Sequence, residues 1–405
     1  DKRAPLVTRP FVIVTLTAFV FFLYIGMLLP IVPLFIEGPL GAGEFGIGLT
    51  VAVFATAAIA VRPIIGRIAD RYGRRILLIG GAVLAGCSGV LSGQVETLWQ
   101  LMFLRGFTGI GEAAVFVGAA TLIADLSPRD RRAEGASYFS VAVFGGIGMG
   151  PIFGEWVLDD TRYELAFLVA GLIALLAGLV AILAPVRVAS PDGEDDADDI
   201  EESPTGRRKF VHPAAVMPGL VLAAGMAAFA SFAAFLPDYA RSVGLASSGA
   251  LFGLYALVSV VVRIFGARWP ERLGPRVTVT IALSNVMIGL AILAIFPAIW
   301  ALWAAALFVG LGMAFNYPSL LALTVNRASD RERAWAISSF TMFFELGSAA
   351  GGLVIGALAQ IVGKQLGFFG GVASCVIGLW LLRSKVVPTD APDAGPMVTQ
   401  PTTVT

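Results

Sequence analysis

Twelve apolar stretches, separated by short polar clusters, constrain this chain more than any other feature. A bilayer crossing needs about 20 mostly apolar residues. Breaking the chain at its polar clusters gives six candidates at 11–36, 44–64, 76–95, 97–124, 134–157 and 164–186. Six more follow at 213–237, 246–266, 277–296, 298–325, 334–360 and 364–383. The 405 residues are 57% hydrophobic and 14% charged, against about 45–50% and about 25% in soluble domains. Such a chain is too apolar to present its surface to water. Its first apolar run, from Phe11 to Ile36, is too long for a signal-peptide core and lacks a small-residue cleavage site, so it reads as the first span. The chain begins at Asp1 rather than Met, and a few leading residues are expected to precede it.

Basic residues orient the spans, because cytoplasmic loops carry the excess of Lys and Arg. One side collects Lys2, Arg3 and Arg9; Arg67, Arg71, Arg74 and Arg75; Arg129, Arg131 and Arg132. The same side holds Arg187, Arg207, Arg208 and Lys209; Arg268, Arg272 and Arg276; Arg327, Arg331 and Arg333; Arg383 and Lys385. The other has Arg162, Arg241 and Lys364. Both termini are therefore expected in the cytoplasm, with the chain multi-pass in the cell membrane. Between 187 and 212 runs a stretch with seven acids from Glu194 to Glu202. It cannot bury apolar area and reads as a solvated cytoplasmic linker, since the glycine and ligand spacing of a calcium loop is missing. The tail, 385–405, reads as disordered and cytoplasmic.

Several function classes fall away. Zero net charge argues against a nucleic-acid partner. With two cysteines, Cys87 and Cys375, and His212 as the lone histidine, a disulfide framework or a metal site is not expected. His212 precedes Pro213 at a membrane boundary and reads as interfacial. Gly109-Ile-Gly111 follows no strand, and no phosphate-binding Gly-Lys-Ser/Thr loop occurs, which argues against an ATP-driven pump. No cofactor is expected, and no catalytic constellation that would make the chain an enzyme. The chain is read as a monomer.

An offset of 201 residues exposes an internal repeat. It aligns Arg62 with Arg263, Arg67 with Arg268, Asp70 with Glu271, Arg71 with Arg272, Gly73 with Gly274 and Arg75 with Arg276. Gly109 and Gly111 fall on Gly310 and Gly312. Each half has six spans, so both halves enter the membrane in the same direction, which places a substrate site near midplane between them. The expected division is a six-helix bundle at 1–186, the linker at 187–212, a second bundle at 213–384 and the tail at 385–405.

The segment from Arg62 to Arg75, with Gly66, Asp70, Arg71, Gly73 and Arg74, closely resembles the signature loop between the second and third spans of the major facilitator superfamily. Arg105-Gly-Phe-Thr-Gly109-Ile-Gly111-Glu112 resembles that family's fourth-span motif. Gly146-Ile-Gly148-Met-Gly150-Pro151-Ile-Phe-Gly154 resembles its antiporter motif, with Glu155 where a further glycine is usual. Gly26-Met-Leu-Leu-Pro30-Ile-Val-Pro33 resembles a motif common in exporters. The resemblance implies an all-α membrane protein of 12 transmembrane helices in two pseudo-symmetric bundles, the major facilitator fold. It also implies a latch in which Asp70 sits among arginines, Asp125 partners Arg74, and the outward-facing state is stabilised.

Charges inside the spans are functional candidates, since a charge at the bilayer centre costs about 2.5–3.5 kcal/mol on insertion scales. Arg105, Glu112 and Glu345 qualify, with Glu155 nearer the outer edge; Arg62 and Arg263 read as snorkelling from inner span ends. Arg105 and Glu112 are two turns apart on one face, about 10 Å, too far for a tight pair. An apolar setting favours the neutral form of a carboxyl group, which suits a proton carrier. Glu112, Glu345 and Glu155 are the proton-coupling candidates, against the reading of Glu112 as permanently neutral and of Glu345 as paired with an arginine or hydroxyl. Arg105, Tyr24, Asn316, Tyr317 and Asp238 are the substrate-binding candidates, against packing roles or, for Asp238, a solvated span end or a gate. The Arg105–Glu112 spacing resembles that of proton-coupled organic-anion and spinster-type transporters.

Together these readings give a proton-coupled exporter of a small organic compound, drug-like or a sugar, working by alternating access. The alternatives are a proton-coupled symporter of organic anions or lipids, and a transporter-like membrane receptor without flux. The partners are a small-molecule substrate, protons and the lipid bilayer.

Overall fold

The computed structural model describes residues 6–128, 131–159, 161–185, 211–266, 273–325, 327–328 and 333–384, with the side chains at 63, 66–67, 69–71, 132–134, 136–137, 264, 333–335 and 338 excepted. The expected linker and tail lie almost wholly outside those residues.

Twelve helices make up the described residues. The first six are α1 (Arg9–Glu37), α2 (Glu44–Tyr72), α3 (Arg74–Ser92), α4 (Leu98–Leu126), α5 (Arg132–Leu158) and α6 (Tyr163–Ala181). The second six are α7 (Pro213–Ser242), α8 (Gly249–Phe265), α9 (Pro275–Ile295), α10 (Ile299–Val325), α11 (Arg333–Val362) and α12 (Lys364–Ser384). Eleven are long and apolar enough to cross a membrane, and α8, the twelfth, is a shorter apolar helix. In lipid only internally satisfied backbone is tolerated, so helices carry every span.

Local signals set the helix starts. Thr8 caps α1, accepting from the Phe11 N–H at 3.4 Å, and Thr97 with Gln100 forms a capping box on α4. His212 does the same for α7: its Nδ1 accepts from the Ala214 N–H at 3.1 Å, with Pro213 in the first turn.

Within each half the helices pair alike. α1 packs on α5 and α6, α3 on α4 and α6, and α2 on α4; in the second half α7 packs on α11 and α12, α9 on α10 and α12, and α8 on α10. The 201-residue repeat persists in backbone detail. Gly73 and Gly274 precede α3 and α9 with φ of 84° and 79°, the left-handed region that glycine enters without steric cost. Gly109 lies against the Phe54 carbonyl and Gly310 against that of Tyr255, again 201 residues on. The two bundles meet along α2–α11 and α5–α8, with α1 touching α7 between these seams.

Candidate functional site

A cavity of about 250 Å³ lies between the bundles. Its wall is mostly apolar and rich in aromatic rings, with Phe22, Phe54, Phe116, Phe139, Phe144, Phe229, Phe344 and Tyr317 among aliphatic side chains. Four charged side chains break that wall, Arg62, Arg105, Glu112 and Glu345, and the hydroxyls of Thr50, Ser140, Thr341 and Ser348 join them.

Glu345, on α11, is paired. Its Oε1 accepts from Arg62 Nη2 at 3.2 Å, and Arg62 Nη1 donates to Thr341 Oγ1 at 3.0 Å. Arg62 belongs to α2, so this ion pair ties one bundle to the other. The expectation that Arg62 snorkels from a span end is corrected: its side chain is only 12% exposed. The apolar window ends near residue 64, but α2 continues to Tyr72, leaving Arg62 well inside the helix. Arg263 is likewise committed inside the protein, its guanidinium 3.8 Å from the ring centre of Phe144 on α5. The alternative that Glu345 pairs with an arginine describes the Arg62–Glu345 contact. Sequence reasoning did not identify Arg62 as that arginine, nor Phe144 as the partner of Arg263, although the pairing of Arg62 with Arg263 in the repeat was a signal that neither was incidental.

Glu112 and Arg105 face the same cavity from α4. Glu112 is 8% exposed and its Oε2 has no hydrogen-bond partner among the described residues. Arg105 lies over the Phe54 ring at 4.8 Å, with Nε and Nη1 buried and unpartnered. The cavity therefore presents one acid and one base with spare hydrogen-bonding capacity, beside a cross-bundle ion pair.

The other substrate-binding candidates divide. Tyr317 lines the cavity. Tyr24 does not: it is fully buried and donates to the Ala85 carbonyl at 2.9 Å. Asn316 is fully buried and packs against Gly225 of α7, outside the cavity wall. Asp238 lies at the end of α7 and pairs with Lys364. Glu155, the third proton-coupling candidate, stands apart from the cavity at the foot of α8. Its carboxylate accepts from the Ser248 N–H at 2.9 Å, the Gly249 N–H at 2.8 Å and the hydroxyls of Ser247 and Ser248.

Of the latch candidates, Arg74 meets Asp125 in an ion pair linking α3 to α4, Gly73 makes the turn, and Arg75 is half-buried. The surroundings of Gly66 and the side chains of Asp70 and Arg71 lie outside what the structure describes. Three antiporter-motif glycines, Gly146, Gly150 and Gly154, pack α5 onto α1, while Gly148 lies against Ala256 of α8. A Cβ on Gly146 would lie 2.6 Å from the Phe19 carbonyl oxygen, and one on Gly154 2.7 Å from that of Met27. Neither position accepts a larger residue without moving backbone. The same row includes Gly150, which faces Gly26; Pro151 lies on another face, its carbonyl turned to Gly249 across the α5–α8 seam.

A family profile described as Major Facilitator Superfamily matches residues 14–299 and 249–403. The chain belongs to the Major Facilitator Superfamily. It is similar to the quinolone resistance protein NorA of Staphylococcus aureus, 25% identical over 354 residues that cover 85% of this chain and 88% of that protein. Multidrug resistance protein 1 of Bacillus subtilis is 30% identical over 237 residues, 58% of this chain and 56% of its own length. The crystal structure of a bacterial homolog of the human lysosomal transporter Spinster, inward-facing and unoccupied, superposes with a TM-score of 0.74 at 17% identity, covering 94% of this chain and 97% of that one. The chain is thus a multi-pass membrane transporter of this superfamily, whose members move small molecules and are not enzymes.

Proposed function

We propose that the chain exports small, largely aromatic organic compounds from the cytoplasm across the cell membrane in exchange for protons. The observation that carries this reading is the Arg62–Glu345 pair, a titratable bond between the two bundles inside the ligand cavity. Protonating Glu345 removes its charge, so the pair loses its Coulombic part and Arg62 is left to find another acceptor. Glu112 offers a second carboxylate in the same cavity. Proton arrival and bundle separation are then one event, which is what coupling requires. The aromatic-rich wall supplies apolar contact for the cargo, and the relatives named for quinolone and multidrug resistance support outward transport of such compounds.

In this reading both termini are cytoplasmic, the division at 186, 212 and 384 stands, the Arg74–Asp125 pair belongs to the cytoplasmic latch, and the protein works as a monomer. Arg105 favours a second reading, symport of an organic anion, because its free guanidinium donors suit a carboxylate. A pH jump separates the two. In right-side-out vesicles, export by exchange predicts dye loss when the outside is acidified; accumulation of an aromatic carboxylate under the same gradient overturns it in favour of symport.

A further inference from the structure

Two sets of contacts gather at the end of the molecule where α1 meets α2 and α7 meets α8, away from the cavity. In the first, Lys364, the opening residue of α12, bonds Glu37 at the end of α1 and Asp238 near the end of α7, with Glu44 of α2 at 3.9 Å. All four side chains are at most a quarter exposed. Glu37 and Asp238 are 201 residues apart, so the repeat brings equivalent carboxylates from the two bundles towards each other. Lys364 has no equivalent base. Residue 163, its counterpart, is Tyr163, whose hydroxyl is given to the Leu34 carbonyl at 3.3 Å. One ammonium thus stands among three carboxylates contributed by both bundles, and without it they repel.

The second set is Glu155. From α5 it accepts four hydrogen bonds at the start of α8, two of them from backbone N–H groups that the first turn of a helix leaves free. The repeat equivalents of Glu155 and Gly249 are Gly356 and Gly48, which touch backbone to backbone. Among the described residues, the helix-to-helix contact of the α5–α8 seam closes this end through a carboxylate and that of the α2–α11 seam through glycine backbone. Beside that glycine contact, Gln360 of α11 accepts from the Phe45 N–H of α2 at 3.3 Å.

We propose that Lys364 and Glu155 are the two clamps that hold the α1–α2 mouth of the transporter shut, with Lys364 acting as the counter-charge that turns three mutually repelling carboxylates into a bond between bundles. The inference rests on alternating access; it does not depend on the cargo or on its direction. Opening this mouth separates Lys364 from Glu37 and Glu155 from Ser248, so both contacts exist in one state only, as a gate requires.

The test uses the full chain in lipid nanodiscs with exposed Cys87 replaced by Ser and spin labels on Pro39→Cys and Ala246→Cys, both exposed on the loops at this mouth. Lys364→Met is expected to raise the long-distance population about tenfold, less than for a fully desolvated pair because these side chains keep 19–25% of their surface exposed. Lys364→Arg should stay near wild type, and Glu155→Ala should open the mouth less. An unchanged distance distribution in Lys364→Met overturns the role of Lys364, and one in Glu155→Ala that of Glu155. If Lys364→Met does not fold, the exchange Asp238→Lys with Lys364→Asp decides: a closed distribution supports the clamp and an open one overturns it. These distances need no substrate, so a failed transport assay would remove the exporter reading and leave this result standing.

Discussion

Along α2–α11 the bundles are joined by Arg62 and Glu345, 3.2 Å apart; along α5–α8 the equivalent place is taken by Arg263 over the Phe144 ring, 3.8 Å from its centre. Arg263 follows Arg62 by 201 residues, and Glu345 follows Phe144 by the same interval. The repeat has kept the arginine on both seams and changed what it meets. A cation over an aromatic face contributes about 0.5–2 kcal/mol and has no acid to titrate. Removing one member of a desolvated charge pair costs about 2–5 kcal/mol. Inside the cavity, one seam can answer a proton and the other cannot; the carboxylate that the α5–α8 seam does carry, Glu155, lies away from the cavity at the start of α8. That difference, rather than the number of charges in the cavity, makes the α2–α11 seam the place where coupling is expected.

Removing the difference should have the largest effect. Glu345→Gln keeps the shape of the side chain and abolishes its charge and its titration. Proton-driven dye export is expected to fall about 30-fold or more, which is the lower end of the charge-pair cost converted at 1.4 kcal/mol per tenfold. Dye binding measured by fluorescence should survive, and so should a monodisperse folded protein. Export at the wild-type rate would remove Glu345 from the coupling step. Glu112→Gln comes next. Glu112 makes no hydrogen bond to Arg62 or Glu345, so the cross-bundle bond remains, but the charge it presents to both across the cavity is lost. About a tenfold loss of proton-driven export is expected, with the folded state intact; unaltered coupling would confine proton sensing to the seam.

How legible this was in the sequence differs from residue to residue. The spans and the repeat could be read because a bilayer demands long apolar runs and because scarce arginines and crowded glycines recur at one offset. Gly73 and Gly274 then took the same backbone conformation. The candidate site was read less well. Glu112 and Glu345 were singled out by the cost of a charge in an apolar run, and both line the cavity. Arg62 was misjudged because hydropathy ends where the charges begin, whereas α2 runs two further turns into polar sequence. Tyr24 and Asn316 were placed with the ligand for want of a direction. In a helix that is apolar all round, periodicity does not say which face meets the cavity. Asp238 found its partner at Lys364, far along the chain in the same bundle, and Glu155 at Ser248 in the other bundle, neither of which a local pattern encodes.

The mildest change sharpens the comparison from the other side. Phe144→Leu keeps the volume of the α5–α8 seam roughly apolar and removes the ring under Arg263. The guanidinium retains a 3.5 Å contact to the Met313 carbonyl, so the seam is weakened without being emptied. Maximal export should drop about two- to threefold, corresponding to the low end of the cation–π range. The pH at which export is half-maximal should stay where it is in the wild type, because nothing that binds a proton has been touched. The measurement is export rate against external pH for both proteins in the same vesicles. A displaced midpoint would mean that the second seam also senses protons through Arg263 and its neighbours, and the division of labour between the seams would then be wrong even if Glu345→Gln behaves as expected.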